Sequence, residues 1–149
     1  MAHTYSNLLT HIIFSTKNRE PLINSAMRDE LLAYMGGIVR NLGGVLSTAN
    51  ARPDHVHLLW SLPPAVATAE AVRTVKTNSS RWVHNERNDH GFDWQIGYGA
   101  FSVSASQTPV VVRYIADQEE HHRKTKFQEE FVAFLKKNRI PYDERYVWS

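Results

Sequence analysis

The chain predicts an α+β fold, a ferredoxin-like β-α-β-β-α-β antiparallel sheet with carboxyl-terminal helices appended. Three observations carry that expectation. Four short runs of strand character and two long runs of helical periodicity follow one another in that order. The stretch PDHVHLLWSLP at 53–63 is an apolar strand closed at each end by proline. The breaks at Gly43-Gly44 and Arg52-Pro53-Asp54 fall where this order needs turns.

Taken in order, residues 6–16 (SNLLTHIIFST) are rich in Leu, Ile and Phe with poor alternation, as in a central strand covered on both faces. His11 shares a face with Leu9 and Ile13. The loop Lys17-Asn18-Arg19-Glu20-Pro21 follows. A helix is expected from Asn24 or Ser25, with Asp29 and Glu30 near its positive end. Met27, Leu31, Met35, Ile38 and Leu42 form its core stripe, and Gly43-Gly44 gives a left-handed stop. Residues 45–50 make a second strand that turns into the His-Val-His strand.

Pro63-Pro64 ends that strand, and Thr68 is expected to cap a second helix reaching about Asn88. Val72, Val75, Trp82 and Val83 point inward. Arg73, Lys76, Ser80, His84 and Arg87 fall on the other side, either a phosphate-facing stripe or a solvated face. After a loop at 88–93 comes Trp94 and a fourth strand at 96–104, with Phe101 and Val103 inward. Gly97 and Gly99 are spaced for a bulge or a close approach. Thr108-Pro109 reads as an N-cap and first helical position, opening a third helix to about His122. A fourth helix at 127–138 carries Phe131, Phe134 and Leu135, and the aromatic tail at 140–148 docks on the body or on a partner subunit.

The 149 residues predict a single domain, 1–149, and 42% hydrophobic content predicts a globular core. There are no cysteines, which excludes disulfides and thiolate metal sites and fits a reducing cytoplasm. No apolar run approaches the ~20 residues that cross a bilayer, and the amino-terminal residues lack the pattern of a signal peptide. A net charge of +2 means that any nucleic acid would be met by a local basic stripe.

On a strand, Val56, Leu58, Trp60 and Leu62 form one face, while His55, His57, Leu59 and Ser61 form the other. Two imidazoles about 6–7 Å apart can share a divalent ion, or can simply be half-exposed histidines. The predicted topology makes the first and third strands neighbours, so His11 lies beside the pair, and the third helix is the expected cover for that face. On that helix Tyr114 and Gln118 stack one turn apart, with His121 next. Tyr114 is either a core aromatic bonded to the Gln118 amide or a nucleophile. If its target is a DNA phosphate, a cation must polarise the oxygens and hold the phosphate in line. His55, His57 and the amide oxygen of Gln118 could hold Mg²⁺ or Mn²⁺ with positions left for phosphate and water. Imidazole ligands favour Mn²⁺, and abundance favours Mg²⁺.

His-hydrophobic-His on a strand followed by Tyr-x-x-x-Gln on a later helix resembles the HUH single-tyrosine transposases, the insertion-sequence-200-like group and its REP-associated relatives. The resemblance runs through THIIFSTKNREPLI at 10–23, PDHVHLLWSLPP at 53–64, YGAFSVSAS at 98–106, YIADQEEHHRK at 114–124 and YDERYVW at 142–148. It implies a metal-dependent DNA transposase that cuts single-stranded DNA at the ends of its own element. Tyr114 would form a 5′-phosphotyrosine and free a 3′-hydroxyl. His55, His57 and Gln118 match the family's metal ligands. The resemblance also implies recognition of hairpins near the cleavage site and a homodimer in which the tyrosine helix can act in trans. The absence of a long extension after the fourth helix favours the dimeric type. A bacterial or archaeal cytoplasmic, nucleoid-associated protein is expected.

Other readings are weaker. Relaxases place the tyrosine before the histidine pair, and replication initiators carry a lysine one turn from the tyrosine, where this chain has Asp117 and Gln118. A plain RNA- or DNA-binding sheet would need exposed aromatic strands. A domesticated, catalytically quiet protein that binds hairpin DNA is the alternative. His11 either orients a metal-bound imidazole or is an ordinary sheet residue. His121 and His122 are expected to cap the negative end of the helix. Lys17, Arg19, Arg73, Lys76 and Arg87 are the candidate DNA-binding side chains.

Overall fold

The computed structural model describes residues 3–149, and its sheet runs in the order β2-β3-β1-β4 with every neighbouring pair antiparallel. The strands are β1 (Leu9–Ser15), β2 (Val45–Arg52), β3 (His55–Ser61) and β4 (Gly99–Ser102). Two long helices, α1 (Arg28–Asn41) and α2 (Thr68–Glu86), connect them. This is the expected split β-α-β sheet, with β1 and β3 at its centre. Three further helices follow: α3 (Thr108–Ala116), α4 (Gln118–Lys124) and α5 (Phe127–Lys137).

Strand alternation divides the sheet between two cores. Ile12, Phe14, Val56, Leu58 and Trp60 face α1 and α2, where Leu31, Met35, Val72, Val75 and Val83 close the larger core. Ile13 and Phe101 face the other way, against Phe127, Phe131 and Leu135 of α5. The histidines lie on that second side. Its cover comes from α3, α4 and α5 together, with the tail over it: the Trp148 ring lies 6.0 Å from that of Phe131. The fourth predicted helix thus joins the third in closing the face.

The elements depart from expectation where side chains compete for backbone groups. Helix α1 starts at Arg28, because Asn24 Oδ1 accepts from the Met27 N–H at 2.9 Å and holds a preceding turn. Gly43, at φ 86°, makes the expected left-handed stop. Thr68 is the first residue of α2 and makes no cap bond. Strand β4 is shorter than predicted because Lys76 Nζ occupies the carbonyls of Gln95, Ile96 and Gly97 at 2.8, 3.1 and 2.6 Å. The third predicted helix breaks at Asp117 (φ −92°, ψ 22°). Asn50 Nδ2 donates to the carbonyls of Ile115 at 2.9 Å and Ala116 at 3.4 Å, which draws both out of the helical ladder.

Gly99 sets how closely α5 can lie on the sheet, since a Cβ there would come within 2.7 Å of the Phe131 ring and 3.0 Å of Phe101. Gly99→Ala is expected to lower the unfolding free energy by about 1–3 kcal/mol through overpacking, read by urea denaturation. An unchanged midpoint would mean that α5 does not seat this tightly.

Candidate functional site

Strand β3 enters the site because its odd positions face the second core. His55 and His57 are fully buried there, an unusual place for two imidazoles without partners. Both have them. His55 Nδ1 donates to Asp54 Oδ1 at 2.7 Å, which turns Nε2 inward. His57 Nδ1 meets His11 Nε2 at 2.9 Å across the β1–β3 pair, and its Nε2 points to the same centre as that of His55. His11 thus contacts the His57 ring across the strand pair.

The helical cover supplies the rest. Gln118, at the start of α4, is fully buried and brings Oε1 to 3.4 Å from His55 Nε2. Its amide group faces away, 3.3 Å from Glu130 Oε2. His122, one turn further on, reaches Gln118 Oε1 at 3.1 Å and Glu130 Oε1 at 3.3 Å. Glu130, from α5, lies only 5% exposed with Oε1 at 3.0 Å from His57 Nε2 and 3.6 Å from His55 Nε2. The Tyr114 hydroxyl donates to the other oxygen of the same carboxylate. His121 stacks on the Tyr114 ring at 4.4 Å.

The sequence-predicted residues His11, His55, His57, Tyr114 and Gln118 thus meet in one cluster. Two members were not anticipated as such. His122 turns into the cluster instead of capping a helix end, because the break at Asp117 makes Gln118 the first residue of a new helix with His122 on its inner face. Glu130 was missed altogether. Its signal was an acid between Phe127 and Phe131, on the stripe that α5 buries.

The predicted basic residues lie elsewhere. Lys76 faces the three carbonyls named above, and burial lowers its pKa to about 8. Arg87 pairs with Glu30 at 2.8 Å, Lys17 lies 4.0 Å from Asp93, and Arg19 stands over the Trp148 ring at 5.3 Å. Arg73 is exposed on α2.

Electrostatics follow from burial. Burial lowers His57 to about 4 against an opposing pull from Glu130, and burial beside His57 lowers His11 to about 3. Burial works against ionisation of Glu130, but hydrogen bonds from His122 and His57 hold its carboxyl below the usual range. Burial and the Glu130 carboxylate both raise Tyr114, so the phenol stays protonated in this arrangement. The centre suits a cation. His55 Nε2, Gln118 Oε1 and Glu130 Oε1 converge on one point, and one ligand atom each from His55, His57, His122 and Glu130 lies within 4.8 Å of the others. Beside it a cavity of about 370 Å³ opens along Tyr114, lined by His11, Val111, His121 and Phe134 among others.

Residues 4–118 match the family model described as transposase IS200 like. The ISDra2 transposase TnpA of Deinococcus radiodurans is 28% identical over 114 residues, 72% of this chain and 81% of that protein. The transposase for insertion sequence element IS200 of Salmonella typhimurium is 27% identical over 133 residues, 83% of this chain and 84% of that protein. Among solved structures, a REP-associated tyrosine transposase bound to a REP hairpin superposes with a TM-score of 0.61. The match has 15% identity and covers 82% of this chain and 73% of that one.

The buried neutral histidines give acid sensitivity a definite sign. Below pH 6.5 the unfolded chain binds protons at His11 and His57 that the native chain refuses until about pH 3–4. More protons on the unfolded state mean that stability falls as pH falls through that window, and Glu130 extends the loss below pH 4.5. The urea midpoint of chelator-treated protein is expected to drop between pH 7 and pH 5, with a shallower slope in His11→Asn. A midpoint independent of pH across that range would contradict the burial of these imidazoles.

Proposed function

The chain belongs to the IS200-like transposase family, and on that premise we propose that it cleaves and rejoins single-stranded DNA at element ends through a 5′-phosphotyrosine. The observation that carries this reading is the convergence of His55 Nε2, His57 Nε2, Gln118 Oε1 and Glu130 Oε1 beside a tyrosine hydroxyl. His55, His57 and Gln118 would hold Mg²⁺ or Mn²⁺, which when bound supplies positive charge to the non-bridging oxygens of the scissile phosphate. Asp54 and His11 keep the two imidazoles turned inward.

Tyr114 is the nucleophile. Its phenol gives up its proton to the Glu130 carboxylate that already accepts from it, and its oxygen bonds to phosphorus as the bond from phosphorus to the 3′ oxygen breaks. The leaving oxygen takes up a proton from water, leaving the 5′ side on the enzyme and a free 3′-hydroxyl. An incoming 3′-hydroxyl reverses the step and rejoins the strand. Exposed Arg73 and the loop residues Lys17 and Arg19 are the side chains proposed to meet DNA phosphates. Lys76 and Arg87 contribute less, since their charges already face carbonyls and Glu30. The hairpin held by the REP-associated relative supports hairpin DNA as the partner, and such a substrate would be met in the cytoplasm at the nucleoid. Tyr114 rests over histidines of its own chain, its ring 5.9 Å from that of His57, which supports cleavage in cis. A homodimer with exchanged tyrosine helices then belongs to strand transfer.

With Mn²⁺ and a single-stranded oligonucleotide from an element end, wild type is expected to form an adduct that survives SDS. Tyr114→Phe should form none while still binding the hairpin in a gel-shift assay. An adduct persisting in that variant would refute the assignment of the nucleophile. Hairpin binding without any adduct from wild type would favour the catalytically quiet alternative. Mixing Tyr114→Phe with His57→Ala is expected to give no adduct, since cleavage in cis needs both groups in one chain. Restored cleavage in the mixture would place the tyrosine in trans.

A further inference from the structure

We propose that Glu130 couples the cation to the nucleophile, with Oε1 joining His55, His57 and His122 on the ion while Oε2 holds the Tyr114 hydroxyl. The inference rests on the reading of this site as a cation-assisted tyrosine centre. It assigns to α5, which lies beyond the residues matched by the family model, a direct share in that centre.

Three observations support it. A buried carboxylate is costly unless its oxygens are engaged, and both oxygens of Glu130 are. Oε1 lies 3.0, 3.3 and 3.6 Å from the Nε2 atoms of His57, His122 and His55. Donors bound about 2.0–2.2 Å from a single ion are separated by distances of this order, and all four ligand atoms lie within 4.8 Å of one another, so Glu130 Oε1 is placed to share an ion with the three imidazoles. The second oxygen accepts from Tyr114 and lies 3.3 Å from the Gln118 amide nitrogen. Those two contacts fix the plane of the carboxylate. An ion that draws on Oε1 therefore acts on a group already bonded to the nucleophile.

The donor set also names the class of ion. Three imidazoles and one carboxylate, beside the Gln118 amide oxygen, suit a borderline divalent transition ion better than Mg²⁺, which prefers an all-oxygen shell and keeps its waters. Mn²⁺ is the probe of choice, and Mg²⁺ is expected to bind at least tenfold more weakly.

The test is calorimetric titration of the full, chelator-treated chain with MnCl₂, without DNA. Wild type should bind one Mn²⁺ per chain, and Glu130→Gln should weaken binding about tenfold or more. Glu130→Asp keeps the charge with a shorter reach and should fall between the two, which guards against a folding defect in the glutamine variant. Circular dichroism checks the fold of each. Tyr114→Phe should change Mn²⁺ affinity severalfold when Glu130 is present and not when it is glutamine, because the hydroxyl acts only through that carboxylate. Equal Mn²⁺ affinity in wild type and Glu130→Gln would overturn the proposal, as would a Tyr114→Phe effect identical in both backgrounds. Loss of adduct formation with the Mn²⁺ coupling intact would instead defeat the cleavage reading alone, so the two failures are separable.

Discussion

The alternation of strand β3 between two cores is the constraint on which the site depends. Val56, Leu58 and Trp60 are fully buried against α1 and α2, and His55, His57 and Leu59 are fully buried on the opposite side. Burial of each large apolar side chain contributes about 1.5–3 kcal/mol, and a slip of one residue would send the whole apolar set to the wrong face. The larger core therefore fixes the direction of the histidines. Pairing with β1 does the same for His11, since the register Ile13↔His57 and His11↔Leu59 leaves the three imidazoles on one side.

A carboxylate placed among them has to be satisfied from every side. Glu130 is held by His57, His122, Tyr114 and Gln118, which compensates the loss of its water. The satisfaction is uneven. His55 Nδ1 is engaged by Asp54 at 2.7 Å, and its Nε2 faces Gln118 Oε1 at 3.4 Å and Glu130 Oε1 at 3.6 Å, both looser contacts. Nitrogen and oxygen atoms gathered at one point in a medium of low dielectric favour a cation there. The same anion keeps the Tyr114 phenol protonated. A cation bound at the centre would offset that negative charge beside the phenol.

Much of this was legible in the sequence, and what was not has physical reasons. The sheet order and the faces of β3 followed from period-two alternation and proline punctuation. Tyr114 and Gln118 followed from helical spacing once a helix over the histidine face was expected. His122 was misplaced because its direction depends on a helix break that no glycine or proline announces. Glu130 was overlooked because an acid in a first helical turn is ordinary, and only its place between Phe127 and Phe131 sets it apart. The basic face of α2 read as one stripe, yet Lys76 and Arg87 are drawn to carbonyls and to Glu30, contacts that spacing along a helix does not reveal. Long-range hydrogen bonding is the common element in these misses.

The break at Asp117 shows how far that dependence reaches. Asn50 lies directly opposite His57 in the β2–β3 ladder, so the register that positions the imidazole also positions the amide. That amide takes the carbonyls of Ile115 and Ala116, which an unbroken helix would have given to the N–H groups of Glu119 and Glu120. The ladder resumes beyond it, with His121 N–H on the Asp117 carbonyl at 3.1 Å. Gln118 and His122 consequently start a helix of their own, turned toward the sheet, while Tyr114 stays on the preceding one. A single strand pairing thus sets the placement of Tyr114 relative to the histidines twice, once through His57 and once through the bend that separates Tyr114 from Gln118.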